Sequence, residues 1–249
     1  MTGTGNPHFE PGSPVPIRCR ISALVQERNR LFGYPMERLA EEIRSTRFEC
    51  TGCGACCTRA VTGYIGLSDP EAVRLMETCT EALEPAPDPE FCDQDGILYV
   101  SGYAVRTKGD PGGSCWFLEG NRCGIYDRRF SVCRIYPHML RRGTDGAGSV
   151  EWRMVARRDR HGRWERPMGD EACLALACEI KEYENAFLTR QIDFLETVHD
   201  FFRTNGLRHD QELFYDRAGR FREGEPVPVR IFHEGTLEEW MVAGGPERL

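Results

Sequence analysis

Four cysteines fall within eight residues, Cys50, Cys53, Cys56 and Cys57, in the stretch FECTGCGACC that runs from Phe48 to Cys57. A buried cysteine packs as a small hydrophobe, but Gly52 and Gly54 between these thiols give backbone that curls around something. Neither a regular helix nor a strand accommodates that pattern well. Soft sulfur donors on a flexible loop point to a bound metal.

The rest of the cysteine inventory supports this. Twelve cysteines, at 19, 50, 53, 56, 57, 79, 92, 115, 123, 133, 173 and 178, are spread over 249 residues. The opening residues MTGTGNPHFEPGSPVPI have neither a basic region nor an apolar one, and no window approaches 18 uninterrupted apolar residues, the minimum for a spanning helix. The expected location is therefore the cytoplasm, where thiols stay reduced and a disulfide framework is disfavoured. A net charge of −7 and a pI near 5.5 argue against a surface shaped for phosphate backbones, so nucleic acid is not the expected partner.

The chain divides, on composition, into a Gly/Pro-rich tail over 1–17, a cysteine-cluster metal-binding domain over 18–206 and an accessory segment over 207–249. Short helices are predicted over Ile21–Arg30 and Pro35–Ser45, a strand over Thr62–Leu67, and a helix capped by Ser68 with Glu71 three residues on, the capping-box pattern. Glu84–Gly96, with three prolines, reads as an exposed linker. A strand over Ile97–Thr107 and the turn GDPGG lead to a second cysteine region, in which Cys115–Leu118 and Cys123–Tyr126 suit a hairpin that would place Cys115 and Cys123 near opposite corners of one ribbon. Strands over His138–Arg142 and Val150–Arg157, a long helix over Glu171–Thr204, a strand over Val227–Phe232 and a short helix over Thr236–Val242 complete the pattern. The fold class is α+β: a small antiparallel sheet, a cysteine-rich metal loop, and a long helix in the C-terminal half packed against them. Phe187, Ile192, Phe194, Leu195, Val198 and Phe201 give that helix an apolar side, assigned to the core.

Eight cysteines form the candidate ligand set: Cys50, Cys53, Cys56, Cys57, Cys115, Cys123, Cys133 and Cys173. They suffice for two four-thiolate sites, or for one site with spare redox thiols. Three thiols at i, i+3 and i+6 with intervening glycines resemble the run by which ferredoxin loops wrap a cubane, and no second Cys-x-x-Cys exists to complete the commoner zinc arrangement. An iron-sulfur cluster, [4Fe-4S], is therefore favoured over zinc, which stays as the alternative.

With these residues in view, the chain resembles the YkgJ-type cysteine-cluster family, described as a zinc- or iron-chelating domain. The resemblance rests on Phe48-x-Cys50-x-x-Cys53-x-x-Cys56-Cys57, Cys115-x-Phe117-Leu118, Cys123-x-Ile125-Tyr126, Arg129 and Cys133-Arg134-x-Tyr136-Pro137. It implies a metal-binding module, similar also to part of the flagellin lysine methylases. Phe130 stands where the family has proline, and Cys173-Leu174-Ala175 where it has Cys-Pro-Gly.

Thiolate sites are anionic, so Arg59 and Arg134, close to ligands in sequence, are candidates to donate to sulfur or offset its charge. His138, five residues after Cys133, reads as a structural hydrogen-bonder rather than a ligand. From Asp127 to Arg166 there are eleven arginines and five acids, an Arg-rich region that reads as a solvated face or as a docking surface for a protein or peptide. The expected function is a metal-binding protein supporting electron transfer or modification of such a partner, or else a structural zinc module without catalysis. No catalytic residue is assigned.

Overall fold

A computed structural model describes residues 16–144, 150–156 and 161–242. The helices are α1 (Ile17–Phe32), α2 (Met36–Thr46), α3 (Arg59–Thr62), α4 (Asp69–Thr78), α5 (Ser131–Ile135), α6 (Asp170–Asn205) and α7 (Gln211–Arg222). The strands are β1 (Leu83–Pro85), β2 (Phe91–Cys92), β3 (Leu98–Ser101), β4 (Tyr103–Val105), β5 (Leu118–Glu119), β6 (Arg122–Cys123), β7 (His138–Thr144), β8 (Val150–Ala156), β9 (Val227–His233) and β10 (Thr236–Val242). The α+β class expected from the sequence is what the chain adopts.

Two compact units share the chain. The first comprises residues up to Ser22, Thr58–Trp116 and Arg190 onward; the second comprises Ala23–Cys57 and Phe117–Thr189. In the first, a four-stranded sheet has the order β10-β9-β3-β2. It is antiparallel except for β3 and β9, which run parallel with Val100 opposite Ile231. Over it lies the C-terminal half of α6: the ring of Phe194 is 6.0 Å from Phe91 and 5.9 Å from Phe232, and Phe202 is 5.0 Å from Tyr99. Ile192, Phe194, Leu195 and Val198 are buried, so the apolar side of the helix is core. The Ser68–Glu71 capping box is present at the start of α4, and Asp210 caps α7 through the amides of Glu212 and Leu213.

Several expectations differ from the structure. Glu84–Gly96 is no exposed linker: Pro85, Ala86, Phe91, Cys92 and Asp93 are buried, because β1 and β2 pair with β4 and β3. Thr236–Val242 is a strand, joined to β9 by the two-residue turn Glu234-Gly235 with φ of 46° and 79°. The segment after 206, expected as an accessory piece, contributes α7 and half of the four-stranded sheet. Thr62–Leu67 opens with the end of α3 and forms only a bridge between Gly66 and Ala104.

In the second unit, Arg28 donates to Thr189 at 3.2 Å, and Lys181 donates to the carbonyls of Phe32 and Tyr34, tying α1 to α6. Arg44 of α2 pairs with Asp170 at 2.9 Å. His138, at the start of β7, is only 1% exposed and its Nε2 lies 2.6 Å from Thr46 Oγ1. Thr46 gives its own proton to the Ile43 carbonyl, so His138 Nε2–H donates and the ring is neutral, a structural role as expected. Burial pushes its pKa down to about 4, opposed only in part by the Ile135 backbone. The folded protein thus resists a proton that the unfolded chain takes up near 6.5. Stability from this group is present above about pH 6.5 and is lost as pH falls toward 4. Between pH 7 and 5 the loss is about 2 kcal/mol. Urea unfolding at both pH values should show it as a steeper acid loss in the wild type than in His138→Asn; equal losses would refute it.

Candidate metal centre

The second unit contains the cysteine loop. Helix α2 ends at Arg47 in the left-handed region, φ 53°, and the chain turns through Phe48 into the thiols. Gly54, with φ +73°, is the tightest point: a Cβ there would lie 2.6 Å from Leu118 Cδ1 and 3.0 Å from the Asn121 carbonyl. Only glycine lets the loop lie this close to the β5–β6 hairpin. In that hairpin Leu118 sits opposite Cys123, so the loop packs on the ribbon that carries another candidate ligand. Tyr126 closes the other side, its hydroxyl donating to the Cys50 carbonyl at 3.0 Å, with the Arg129 guanidinium 4.1 Å above its ring. Cys57 N–H donates to the Gly54 carbonyl at 2.9 Å, which sets Cys56 and Cys57 at the end of a tight turn.

The thiols differ in environment. Cys53 is exposed, and its sulfur is held below the ordinary thiol range by the Ala55 amide foremost, with Gly162 N–H and the Thr51 side chain adding to it. Cys56 is pushed far above that range, first by its hydrogen bond with Cys57, then by burial and the charges of Cys57 and Cys53. Neighbouring thiolates repel one another, and a positive charge among them would relieve that repulsion. Amide N–H groups aimed at a sulfur are what a thiolate ligand requires. Thiolates are donors whose chemistry suits zinc or iron.

The other candidates are placed as follows. Cys123 lies on β6 and Cys133 in α5, both partly exposed in the same unit as the loop. Cys173 is buried in the first turn of α6, its thiol 3.7 Å from the Met168 carbonyl and raised by burial. Cys115 belongs to the first unit, in a bridge with Thr107; the hairpin is shorter than expected and does not include it. Among the described residues, no group of three or more His, Cys, Asp and Glu side chains converges closely enough to hold a metal ion.

The two arginines have partners within the chain. Arg59 pairs with Glu84 at 3.1 Å. Arg134 binds the Glu179 carboxylate, the Arg129 carbonyl at 2.6 Å and Ser131 Oγ at 3.1 Å. Each thus has a carboxylate partner. Within the Arg-rich region, Arg166 pairs with Glu49, and Arg157, Arg158 and Arg160 lie outside the described residues. Sequence reasoning missed the segment after them, His161–Arg166, which runs beside the loop with Glu49 bridged to Arg163.

No helix among the described residues is long and apolar enough to cross a membrane. No curated protein and no solved structure gives a significant match to the chain. Residues 49–155 match the family model of the CxxCxxCC domain, described as "Putative zinc- or iron-chelating domain".

Proposed function

We propose that the loop thiols of Cys50, Cys53, Cys56 and Cys57, together with Cys123 and Cys133 of the same unit, bind an iron-sulfur cluster in a reducing cytoplasm. The observation that carries this reading is the seating of the thiol loop: Gly54 lies against Leu118 and Asn121 of the hairpin whose Leu118 stands opposite Cys123. Three thiols at three-residue intervals on a loop rich in N–H donors suit a cluster, whose sulfides also need such donors. A bound cluster supplies one-electron transfer. The chain's residues supply the thiolates, the donors and the partial shielding by Tyr126. Cys173 stands outside the matched residues and Cys115 in the other unit, so both are secondary candidates.

A structural zinc site is the second reading, favoured by the contact of Gly54 with Leu118 and Asn121. A metal bridging loop and hairpin would staple them together. Docking of a protein or peptide on the Arg-rich region is also a proposal. Arg129, Arg134 and Arg166 are engaged within the chain.

Anaerobic purification followed by elemental analysis and a visible spectrum separates the readings. A cubane gives iron and acid-labile sulfide at about four per chain and a broad band at about 400 nm that bleaches with dithionite. One or two colourless zinc ions per chain would replace the redox reading with the structural one.

A further inference from the structure

The segment His161–Arg166 lies beyond the matched residues yet is built onto the cysteine loop. Glu49 N–H donates to the Arg163 carbonyl at 2.7 Å and Arg163 N–H to the Glu49 carbonyl at 3.0 Å, one full antiparallel step immediately before Cys50. The Arg166 guanidinium holds the Glu49 carboxylate. Phe48, 8% exposed, has its ring 4.8 Å from Trp164, 6.1 Å from Tyr136 and 6.4 Å from His161. Trp164 Nε1 donates to the His161 carbonyl at 3.0 Å, folding the segment on itself, and the Tyr136 hydroxyl bonds His161 Nε2 at 2.9 Å while the two rings stack.

At the centre of this arrangement is Gly162. Its φ is +71°, and a Cβ there would lie 2.3 Å from Phe48 Cε2 and 3.0 Å from the Glu49 carbonyl. The absence of a side chain lets the backbone approach the loop beside Glu49, and the Gly162 backbone is among the groups that lower the Cys53 thiol. Packing of Phe48 alone would need aromatic rings but no amide directed at a thiol. Both features together distinguish a support for a ligand from ordinary core.

We propose that His161–Arg166 is a strap of the metal centre, in which the Gly162 amide fixes the Cys53 thiolate and slows metal release at the exposed edge of the loop. This inference rests on the metal-binding reading above. The strap residues touch no metal themselves; Gly162 is a positioning residue acting through Cys53. A donor to a ligand contributes about 10- to 100-fold to metal affinity.

The test uses the full chain loaded with zinc, wild type against Gly162→Ala and Trp164→Ala. Chelator competition reads affinity and release rate, and mass spectrometry reads the rate of Cys53 alkylation by iodoacetamide. Far-ultraviolet circular dichroism of each variant checks folding, and should Gly162→Ala fail to fold, Trp164→Ala decides. Expected are zinc affinity weaker by about 10- to 100-fold in Gly162→Ala, a smaller loss in the same direction in Trp164→Ala, and faster alkylation of Cys53 in both. Wild-type affinity, release and alkylation in a folded variant would overturn the strap while leaving metal binding intact. A wild-type chain that takes up no metal would overturn the metal-binding reading itself and the strap with it.

Discussion

Cys53→Ser is expected to strip the metal and to remove the gain in stability that metal confers. Serine keeps the volume but offers a hard, protonated hydroxyl in place of a soft thiolate, and neither zinc nor iron in a sulfur site accepts the exchange well. Cys53 is a loop thiol whose ionised form the surroundings favour, through the Ala55 and Gly162 amides, so its loss removes a ligand already disposed to bind a cation. Metal binding and folding draw on the same free energy: apparent binding of about 10–16 kcal/mol is typical where a structural zinc organises a small fold. The melting temperatures of metal-loaded and chelator-treated protein should therefore differ in the wild type and coincide in Cys53→Ser, with metal content falling in parallel. Cys19→Ser and Cys79→Ser are the controls. Cys19 is exposed on α1 and Cys79 caps the end of α4, and neither has a neighbouring thiol in sequence. Metal content unchanged in Cys53→Ser would place the site outside the loop; metal lost in either control would mean that the ligand set reaches further than the two cysteine regions.

What the sequence made legible was local. The loop, the Ser68–Glu71 cap and the long helix all follow from residues within one or two turns of each other, and α6 spans Asp170–Asn205 against an expected Glu171–Thr204. Long-range pairing was not legible. Acidic, proline-bearing 84–96 is buried because β3, which β2 borders, finds its other neighbour in β9, some 130 residues later, and nothing within the segment signals that partner. The β10 strand could have been found: Glu234-Gly235 between two apolar runs is a two-residue hairpin turn, while Leu237, Trp240 and Met241 happen also to fit helical spacing. At the site the limit was of another kind. Gly162, Trp164 and His161 carry no motif, and they matter through a backbone step with Glu49 that spacing cannot reveal. Nor could spacing show that Arg134 pairs with a carboxylate on α6, Glu179, an anion that a guanidinium holds strongly.

Phe194→Ala should be among the most damaging substitutions in the first unit. The ring is 0% exposed and stands between Phe91 of β2 and Phe232 of β9, 6.0 and 5.9 Å away, so it joins α6 to two strands at once. Strands that pair across such a separation in the chain are held together by what covers them, because each short strand contributes few ladder bonds: β2 shares only two residue pairs with β3. Truncation removes the transfer free energy of the ring and leaves a cavity that a helix and a sheet, both hydrogen-bonded internally, do little to close. The expected cost is about 3–5 kcal/mol, a large part of the roughly 5–15 kcal/mol that holds a typical domain folded. Phe201, half-buried with the Arg230 guanidinium 4.5 Å from its ring, should cost clearly less, since solvent already reaches it. Urea unfolding of both variants reads the difference as midpoints displaced at unchanged slope. A Phe194→Ala midpoint close to wild type would mean that α6 does not carry the sheet, and that β3 and β9 are held together by their own ladder.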